Sequence, residues 1–444
     1  MKDQIVDKVR QAGIVGAGGA GFPTHVKVNA NVDTVLVNGA SCEPLLHSDP
    51  HLLEAEIGTV VRGLEAVLDC TGATRGIICL KGKHGKAMAA VKDAVARDTK
   101  GRLEAFELKD FYPAGDEQVL VKEVLDRTVP EAGIPLAVGV VVSNVESLYN
   151  IAHAMDDQPL THRYLTVTGE IKEPMVVKVP VGTLVSDVLA FAGGPTISDY
   201  RVVDGGPMMG RVLPDTHQPV TKTTSGLIVL PPDHKVISGK IMDADRLRRI
   251  TNTICCQCSQ CTDLCPRNLM GHSLHPHKLM RVPAGQVMEY PVAKEALLCS
   301  ECGICEKFAC PMGVSPREVN AQIKRALMKE GIRWEGQGND PKAHPFRDVR
   351  FVPTSRLMQR LNVTKYDTHP TLCERPLSVD QVVIPLNQHI GAPSTCQVAE
   401  GDRVAWGDCI GEIPENALGA RIHASVSGVV TSIAQGRVTI RANE

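Results

Sequence analysis

The chain has 444 residues, 43% of them hydrophobic and 3% aromatic, and its 48 Lys and Arg against 50 Asp and Glu give a formal net charge of −2. This length predicts roughly three domains, and the balanced charge argues against nucleic acid as a partner, since phosphate backbones attract basic surfaces. No segment approaches the ~18 apolar residues of a membrane span, and the charged amino terminus lacks the apolar core of a signal peptide. The 15 cysteines suit a reducing, cytoplasmic compartment, where we expect cysteines to serve as ligands and not as disulfides.

Apolar runs and helical patterns alternate in the first third of the chain. A short amphipathic helix leads into a glycine-rich loop. The apolar runs then lie at 34–38, 76–80 and 136–143, and the helical patterns near 52–68, 85–97 and 115–126. Such alternation predicts a mainly parallel sheet that is covered on both faces. We expect this α/β domain to span residues 1–155.

The pattern then changes several times. Residues 156–238 hold short strands and one helix, which predicts a β-grasp module, and residues 239–332 carry most of the cysteines. A connector over 333–379 is expected to be poorly structured or to lie across its neighbours. Short β runs with Gly turns over 380–444 predict an all-β sandwich. The fold class is therefore expected to be multidomain α/β.

Two cysteine runs predict iron–sulfur clusters. They are Cys255-x2-Cys258-x2-Cys261-x3-Cys265-Pro266 and Cys299-x2-Cys302-x2-Cys305-x4-Cys310-Pro311. Three thiolates at this spacing wrap one cube, and the fourth Cys, before Pro, ligates the other cube. We therefore predict a ferredoxin-like domain with two 4Fe–4S clusters, one on Cys255, Cys258, Cys261 and Cys310 and the other on Cys265, Cys299, Cys302 and Cys305. Zinc is the alternative, but it needs only four thiolates and gives no reason for eight.

Each run departs from the common pattern at one point: the first contains an additional thiol, and the second contains an additional residue before its last cysteine. Cys256 lies inside the first run, whose register is complete without it, and it is expected to be a spare thiol. The second run has four residues instead of three before Cys310. We expect a bulge to absorb the additional residue.

The glycine-rich loop GAGGAG is a candidate phosphate-binding element. It satisfies G-x-G-x-x-G, but a Rossmann site needs a strand before the loop and a helix directly after it. Here a helical pattern precedes the loop and the residues FPT follow it. A plain structural turn is a further alternative. We favour a cofactor-cradling loop, because glycines allow backbone N–H groups to approach a ligand and Lys27 can neutralise a phosphate.

Four segments together resemble one family of flavoproteins. GAGGAGFPTHVK, VNGASCEP, YPAGDEQ and VSNVESL are similar, in this order, to the FMN site of the complex I flavoprotein subunit and of the Rnf complex C subunit. The resemblance implies that FMN is held by Gly16, Gly18, Gly19, Gly21, Lys27, Asn38 and Asn144. It also implies that Glu43, Tyr112, Gly115, Asp116 and Glu117 line the cleft for FMN and NADH, and that Phe22 packs against the nicotinamide.

Some positions in these segments depart from the family pattern, and some of the implied site residues have simpler interpretations. Ala40 and Ser41 stand where complex I has acidic residues, and Ser143 stands where it has Asn. The acidic side chains at 43, 116 and 117 are alternatively solvated loop charges, and the two asparagines are alternatively turn formers.

The rest of the chain carries further motifs, among them RVVDGGPMMG at 201–210, IPLNQHIGAP at 384–393 and IHASVSGVV at 422–430. The tail resembles the barrel-sandwich hybrid domain of Rnf C subunits, and residues 156–238 resemble an SLBB-type β-grasp module. In Rnf C subunits the hybrid domain precedes the flavin domain, whereas here it follows the cysteines. The stretch His423–Gly428 contains no Lys, so a swinging-arm carrier is not expected. With this order of domains and these motifs, the whole chain resembles the microcompartment cobalamin reductases.

The resemblance implies a function and partners. NADH would reduce FMN, and the two clusters would pass electrons to a corrinoid, either free or on an adenosyltransferase. One alternative is transfer to ferredoxin or flavodoxin, or NAD recycling in a glycyl-radical microcompartment. Another is a non-catalytic conduit that docks on a shell. Shell proteins are expected partners, at a location inside or on a bacterial microcompartment.

Overall fold

The computed structural model describes residues 1–241, 243–283, 286–336 and 341–443. Its amino-terminal part is an α/β domain. The strands are β1 (Thr34–Gly39), β2 (Arg75–Lys81), β3 (Leu103–Leu108), β4 (Phe111–Tyr112) and β5 (Val140–Asn144). The helices are α1 (Lys2–Gln11), α2 (Thr24–Val28), α3 (Ser48–Thr71), α4 (Gly85–Ala96), α5 (Glu117–Leu125) and α6 (Val145–Met155).

Four of these strands form a parallel sheet in the order β3-β2-β1-β5. Successive residues of a strand face opposite sides, so Val35 and Val37 pack into the core on one face and Leu36 into the core on the other. The predicted parallel sheet with two covered faces is confirmed. The apolar run at 136–143 is only partly a strand: a 3₁₀ turn, Pro135–Val138, ends at Gly139, whose φ of 75° breaks the extended backbone before β5.

The second part is a five-stranded β-grasp sheet. Its strands are β6 (His162–Gly169), β7 (Met175–Pro180), β8 (Arg201–Asp204), β9 (Arg211–Val212) and β10 (Gly226–Leu230). The order is β7-β6-β10-β8-β9, with β6 and β10 parallel in the centre and the other pairs antiparallel. Helix α7 (Val185–Phe191) covers the sheet because Val185, Val188 and Leu189 are buried against it.

The cysteine-rich part is built from short helices around two cysteine groups. The helices are α8 (Lys235–Ser238), α9 (Ala244–Ile254), α10 (Gln260–Asp263), α11 (Pro266–Leu269), α12 (Pro276–Leu279) and α13 (Pro316–Lys329). The 3₁₀ segments Val287–Glu289 and Pro291–Leu298 precede the second run, and a π-helical turn covers Cys305–Ala309. Each run thus passes through one tight turn before its last cysteine.

The connector lies across its neighbours, as one of the two expectations had it. Strand β11 (Val352–Pro353) pairs with β4, and helix α14 (Thr354–Leu361) follows it. Leu357 and Met358 pack in one core with Tyr112 of the α/β domain. The connector therefore joins the α/β domain to the cysteine-rich part. Residues 337–340 lie outside the described residues.

The tail consists of two small antiparallel sheets. Its strands are β12 (Gln381–Pro385), β13 (Thr395–Cys396), β14 (Arg403–Val404), β15 (Cys409–Glu412), β16 (Ile422–His423), β17 (Gly428–Ala434) and β18 (Arg437–Ala442). They are ordered β12-β18-β17-β14 and β13-β15-β16 around a separate core. Across the described part of the chain, no helix combines the length and the apolar character of a membrane span.

Candidate functional site

One cavity of about 560 Å³ contains most of the predicted cofactor residues. Its volume falls in the range of sites for small molecules and cofactors. Twelve of the thirteen predicted residues line it, namely Gly16, Gly18, Gly21, Phe22, Lys27, Asn38, Glu43, Tyr112, Gly115, Asp116, Glu117 and Asn144. Gly19 lies on the same loop and is not among the lining residues. We refer to this space as the central cavity.

The glycine loop is shaped for close approach of a ligand. Gly21 has φ 66°, and a Cβ there would lie 2.8 Å from Cγ2 of Thr223, so only glycine fits. Around Gly19 a Cβ would meet nothing within 4 Å, which leaves open space beside the backbone. In the described structure, the N–H groups of Gly18 and Gly19 donate to no protein acceptor. These free donors fit an anionic phosphate.

The loop is not a Rossmann fingerprint. Helix α1, rather than a strand of the sheet, precedes it, and Pro23 separates it from α2. The Rossmann alternative therefore fails on the element that comes before the loop.

Lys27 points into the central cavity and is already paired. Its Nζ donates to Oε1 of Glu117 at 2.7 Å and to the carbonyl of Val142 at 2.9 Å. Both charged side chains are only partly exposed. An anion bound at the loop would compete with Glu117 for the ammonium group.

The two asparagines line the cavity and also hold local structure. Nδ2 of Asn38 donates to the carbonyl of Gly115 at 2.9 Å. Asn144 caps α6, since its Oδ1 accepts from the N–H of Glu146 and its Nδ2 donates to Asp49. The turn-former interpretation and the cavity position are therefore compatible.

Glu43 is half-buried and forms a contact between domains, which differs from the alternative of a solvated loop charge. Its carboxylate accepts from the N–H of Met208 at 3.0 Å and of Met209 at 2.7 Å, in the β-grasp loop after β8. Burial raises the pKa of Glu43, whereas these two N–H groups and nearby Lys240 act to lower it. Gly206 leaves no room for a Cβ beside this carboxylate.

Tyr112 and Asp116 join the cavity to the cysteine-rich part. The hydroxyl of Tyr112 donates to the carbonyl of Cys302 at 2.7 Å. Asp116 caps α5, and its two oxygens accept from Nη1 and Nη2 of Arg267 at 2.7 and 2.9 Å. Asp116 thus forms an ion pair between domains with Arg267, and it is not a solvated loop charge. Sequence reasoning missed Arg267 as a site residue. Its position directly after the Cys265-Pro266 pair was the one sequence feature that could have indicated it.

The eight predicted cluster ligands form two groups, as the exchange of the fourth cysteine requires. Cys265, Cys299, Cys302 and Cys305 line one small cavity, and Cys255, Cys258, Cys261 and Cys310 line another. Cys302 also lines the central cavity. We call the first group the proximal quartet and the second the distal quartet.

Sulfur spacing separates the cluster prediction from the zinc alternative. Tetrahedral zinc with Zn–S bonds of about 2.3 Å holds its sulfurs about 3.8 Å apart. Among the described residues, no three cysteine Sγ atoms lie within 4.8 Å of one another. The group that does meet this spacing is His47, Asp367 and His369, in which His47 and Asp367 pair at 2.8 Å. The described cysteine positions therefore do not have the spacing of a tetrahedral zinc site.

The π-helical turn accounts for the longer spacing in the second run. A π-bulge accommodates one additional residue in a helical turn, and the turn at Cys305–Ala309 lies directly before Cys310. In the first run, the shorter spacing coincides with the α-helical turn α10. The expected bulge therefore takes this form, and Cys310 reaches the distal quartet.

The two quartets differ in burial. All four proximal cysteines are buried, whereas Cys258 in the distal quartet is exposed and Cys255 is half-buried. Burial raises the pKa of the Cys265 and Cys261 thiols to about 12, and a bound cation would favour their thiolate forms. Cys256 is exposed at the rim of the distal group.

Comparisons with known proteins agree with this geometry. Four family models match in succession: the Nuo51 FMN-binding domain (9–153), the SLBB domain (164–212), the 4Fe-4S dicluster domain (254–315) and the RnfC barrel sandwich hybrid domain (361–443). The predicted β-grasp and hybrid domains are confirmed. The chain therefore combines a flavin-type domain with an iron–sulfur domain.

Similar proteins extend over nearly the whole chain. Cobalamin reductase PduS of Salmonella typhimurium is 43% identical over 440 residues, which is 99% of this chain and 96% of that protein. The Citrobacter freundii protein of the same name is 41% identical over 98% of this chain and 96% of its own length. The C subunit of the Na(+)-translocating ferredoxin:NAD(+) oxidoreductase complex of Acetobacterium woodii is 38% identical over 60% of this chain and 58% of its own.

Proposed function

Because the chain belongs to the family of the cobalamin reductases PduS, we propose that it takes electrons from NADH and delivers them singly to a corrinoid. One observation carries the proposal: Cys302 of the proximal quartet lines the same cavity as the glycine loop. When bound, FMN exchanges two electrons with NADH and single electrons with 4Fe–4S clusters. The protein has to hold these groups in order and keep water away from them.

The residues of the central cavity suit FMN. The free N–H groups of Gly18 and Gly19 and the ammonium of Lys27 would hold the phosphate. Asn38 and Asn144 are fixed by hydrogen bonds on the cavity wall, so they present their polar atoms in defined positions. None of these side chains exchanges a proton in the proposed reaction, which makes them binding residues.

Large apolar side chains form the rim of the central cavity. They are exposed although large and hydrophobic, and they include Val26, Ile134, Leu136, Met209 and Ile390. A group of exposed apolar residues at one cavity is typical of a ligand site. We infer that this rim covers the flavin and the nicotinamide ring and excludes water from them.

The quartets define a direction for electron flow. The proximal quartet adjoins the central cavity and is buried, whereas the distal quartet has Cys258 at the surface. Electrons would therefore enter at the proximal quartet and leave at the distal one. We place the docking site of the corrinoid, or of a protein that carries it, beside Cys258.

A second candidate acceptor and the protein partners complete the proposal. The similarity to a component of a ferredoxin:NAD(+) oxidoreductase favours ferredoxin as a second candidate acceptor. Association with microcompartment shell proteins and with an adenosyltransferase stays a prediction.

The test uses protein purified under anaerobic conditions. We expect about eight irons per chain, as two cubes require, one FMN, and bleaching of the flavin absorbance by NADH. Hydroxocobalamin should then reoxidise the protein faster than ferredoxin at equal concentration. Absence of bleaching by NADH would refute the dehydrogenase, and faster reoxidation by ferredoxin would refute the corrinoid as acceptor.

A further inference from the structure

A buried ion pair lies in the wall between the central cavity and the proximal quartet. Arg267 is 8% exposed and lines the small cavity of the proximal quartet. Both of its terminal nitrogens donate to Asp116, which lines the central cavity. An arginine guanidinium keeps its charge in proteins, so the pair places a cation and an anion side by side in this wall.

This pair faces a group whose charge changes. A cluster gains one negative charge when it is reduced, and a fixed cation nearby favours the reduced form while a fixed anion opposes it. Arg267 follows the ligand Cys265 by two residues and lines the cavity of the proximal quartet, whereas Asp116 lines the central cavity instead. The cation is therefore nearer to the quartet than the anion that neutralises it.

We propose that the Asp116–Arg267 pair is a positioning pair that sets the reduction potential of the proximal cluster. The inference rests on the proposed function, because it needs a cluster on this quartet. Arg267 draws the electron out of the central cavity, and Asp116 limits this attraction so that the electron can move on to the distal quartet.

The magnitude follows from the short separation. A unit charge within about 12 Å of the cluster, at an effective dielectric constant of about 20, changes the ratio of reduced to oxidised cluster roughly tenfold. For a one-electron couple a tenfold change corresponds to 59 mV. The distal quartet serves as the internal reference, because Arg267 does not line its cavity.

The experiment is a redox titration of the full chain, followed by electron paramagnetic resonance of both clusters. Asp116→Asn keeps the α5 cap, since Asn caps helices as well as Asp does, and leaves Arg267 unneutralised. It should raise the midpoint potential of the proximal cluster by about the tenfold equivalent. Arg267→Gln should lower that potential, and Arg267→Lys, which keeps the charge, should stay close to the parent protein.

A structural role alone would not give opposite shifts. The proposal fails if Asp116→Asn leaves the proximal potential unchanged or lowers it, or if both clusters shift equally. Should Arg267→Gln lose its iron, Asp116→Asn and Arg267→Lys still decide the question. Loss of the proximal signal from the unmutated protein would instead refute the proposed function.

Discussion

Arg163 and Glu146 form a buried ion pair beside the glycine loop, and breaking it is expected to destabilise the protein strongly. Nη1 lies 2.9 Å from Oε2, close enough for ion pairing although this N–H does not point at the oxygen, and the side chains are 2% and 3% exposed. Glu146 accepts from the N–H of Tyr164, and Arg163 donates to the carbonyls of Thr224 and Ala17, the latter in the loop.

The size of the effect follows from this burial. Arg163→Met leaves the carboxylate buried without a cation, and removal of one partner of such a pair costs about 3–5 kcal/mol. Replacement of both partners is often nearly neutral, so Arg163→Met/Glu146→Gln should recover part of that loss; the carbonyls of Thr224 and Ala17 stay without their donor in both variants. The matched control is Arg62→Met, which breaks the Arg62–Asp156 pair at 54% and 49% exposure and should cost less than about 1 kcal/mol.

The free energy of unfolding would be measured by urea denaturation followed by circular dichroism. FMN retention is a second readout, because Arg163 holds the loop through Ala17. We expect Arg163→Met to lose flavin as well as stability, and Arg62→Met to lose neither. The argument from the buried pair is refuted if Arg163→Met and Arg62→Met have the same free energy of unfolding. It is also refuted if the double variant is as unstable as Arg163→Met alone.

Two further predictions concern the cofactors. Cys258→Ser should reduce the iron content from about eight to about four per chain and abolish corrinoid reduction, while NADH still bleaches the flavin. The control Cys256→Ser, two residues away, should change none of these properties. Equal iron loss in both variants would contradict the assignment of ligands. Lys27→Met should weaken FMN binding to apoprotein by about 10- to 150-fold, the equivalent of one charged hydrogen bond, as measured by fluorescence titration. Glu117→Gln should tighten FMN binding because it frees Lys27, and weaker binding in this variant would contradict competition between Glu117 and the phosphate.

The sequence predicts local features of this protein well. The two cysteine runs contain their own register, because ligand spacing along the chain determines which thiols can surround one cluster. The parallel sheet also follows from apolar runs such as 76–80, which form a buried strand. For the glycine loop, the helical pattern before it was enough to disfavour a Rossmann site.

Contacts between distant segments could not be predicted in this way. Glu43 lines the central cavity, where the resemblance placed it, but its hydrogen-bond partners are backbone N–H groups 165 and 166 residues away. Asp116 pairs with Arg267 across 151 residues. Neither periodicity nor composition contains information about such pairs. The connector shows the same limit, since its strand β11 pairs with β4, which is distant along the chain.

The unequal cover of the two quartets has a consequence for the protein in air. Oxygen reaches an exposed cube first, and Cys258 is exposed whereas the proximal thiols are not. Brief aeration would therefore destroy the cluster of the distal quartet and leave the cluster of the proximal quartet intact. Such damaged protein would go on consuming NADH while its reduced flavin, with no route to the corrinoid, discharged into oxygen and generated peroxide.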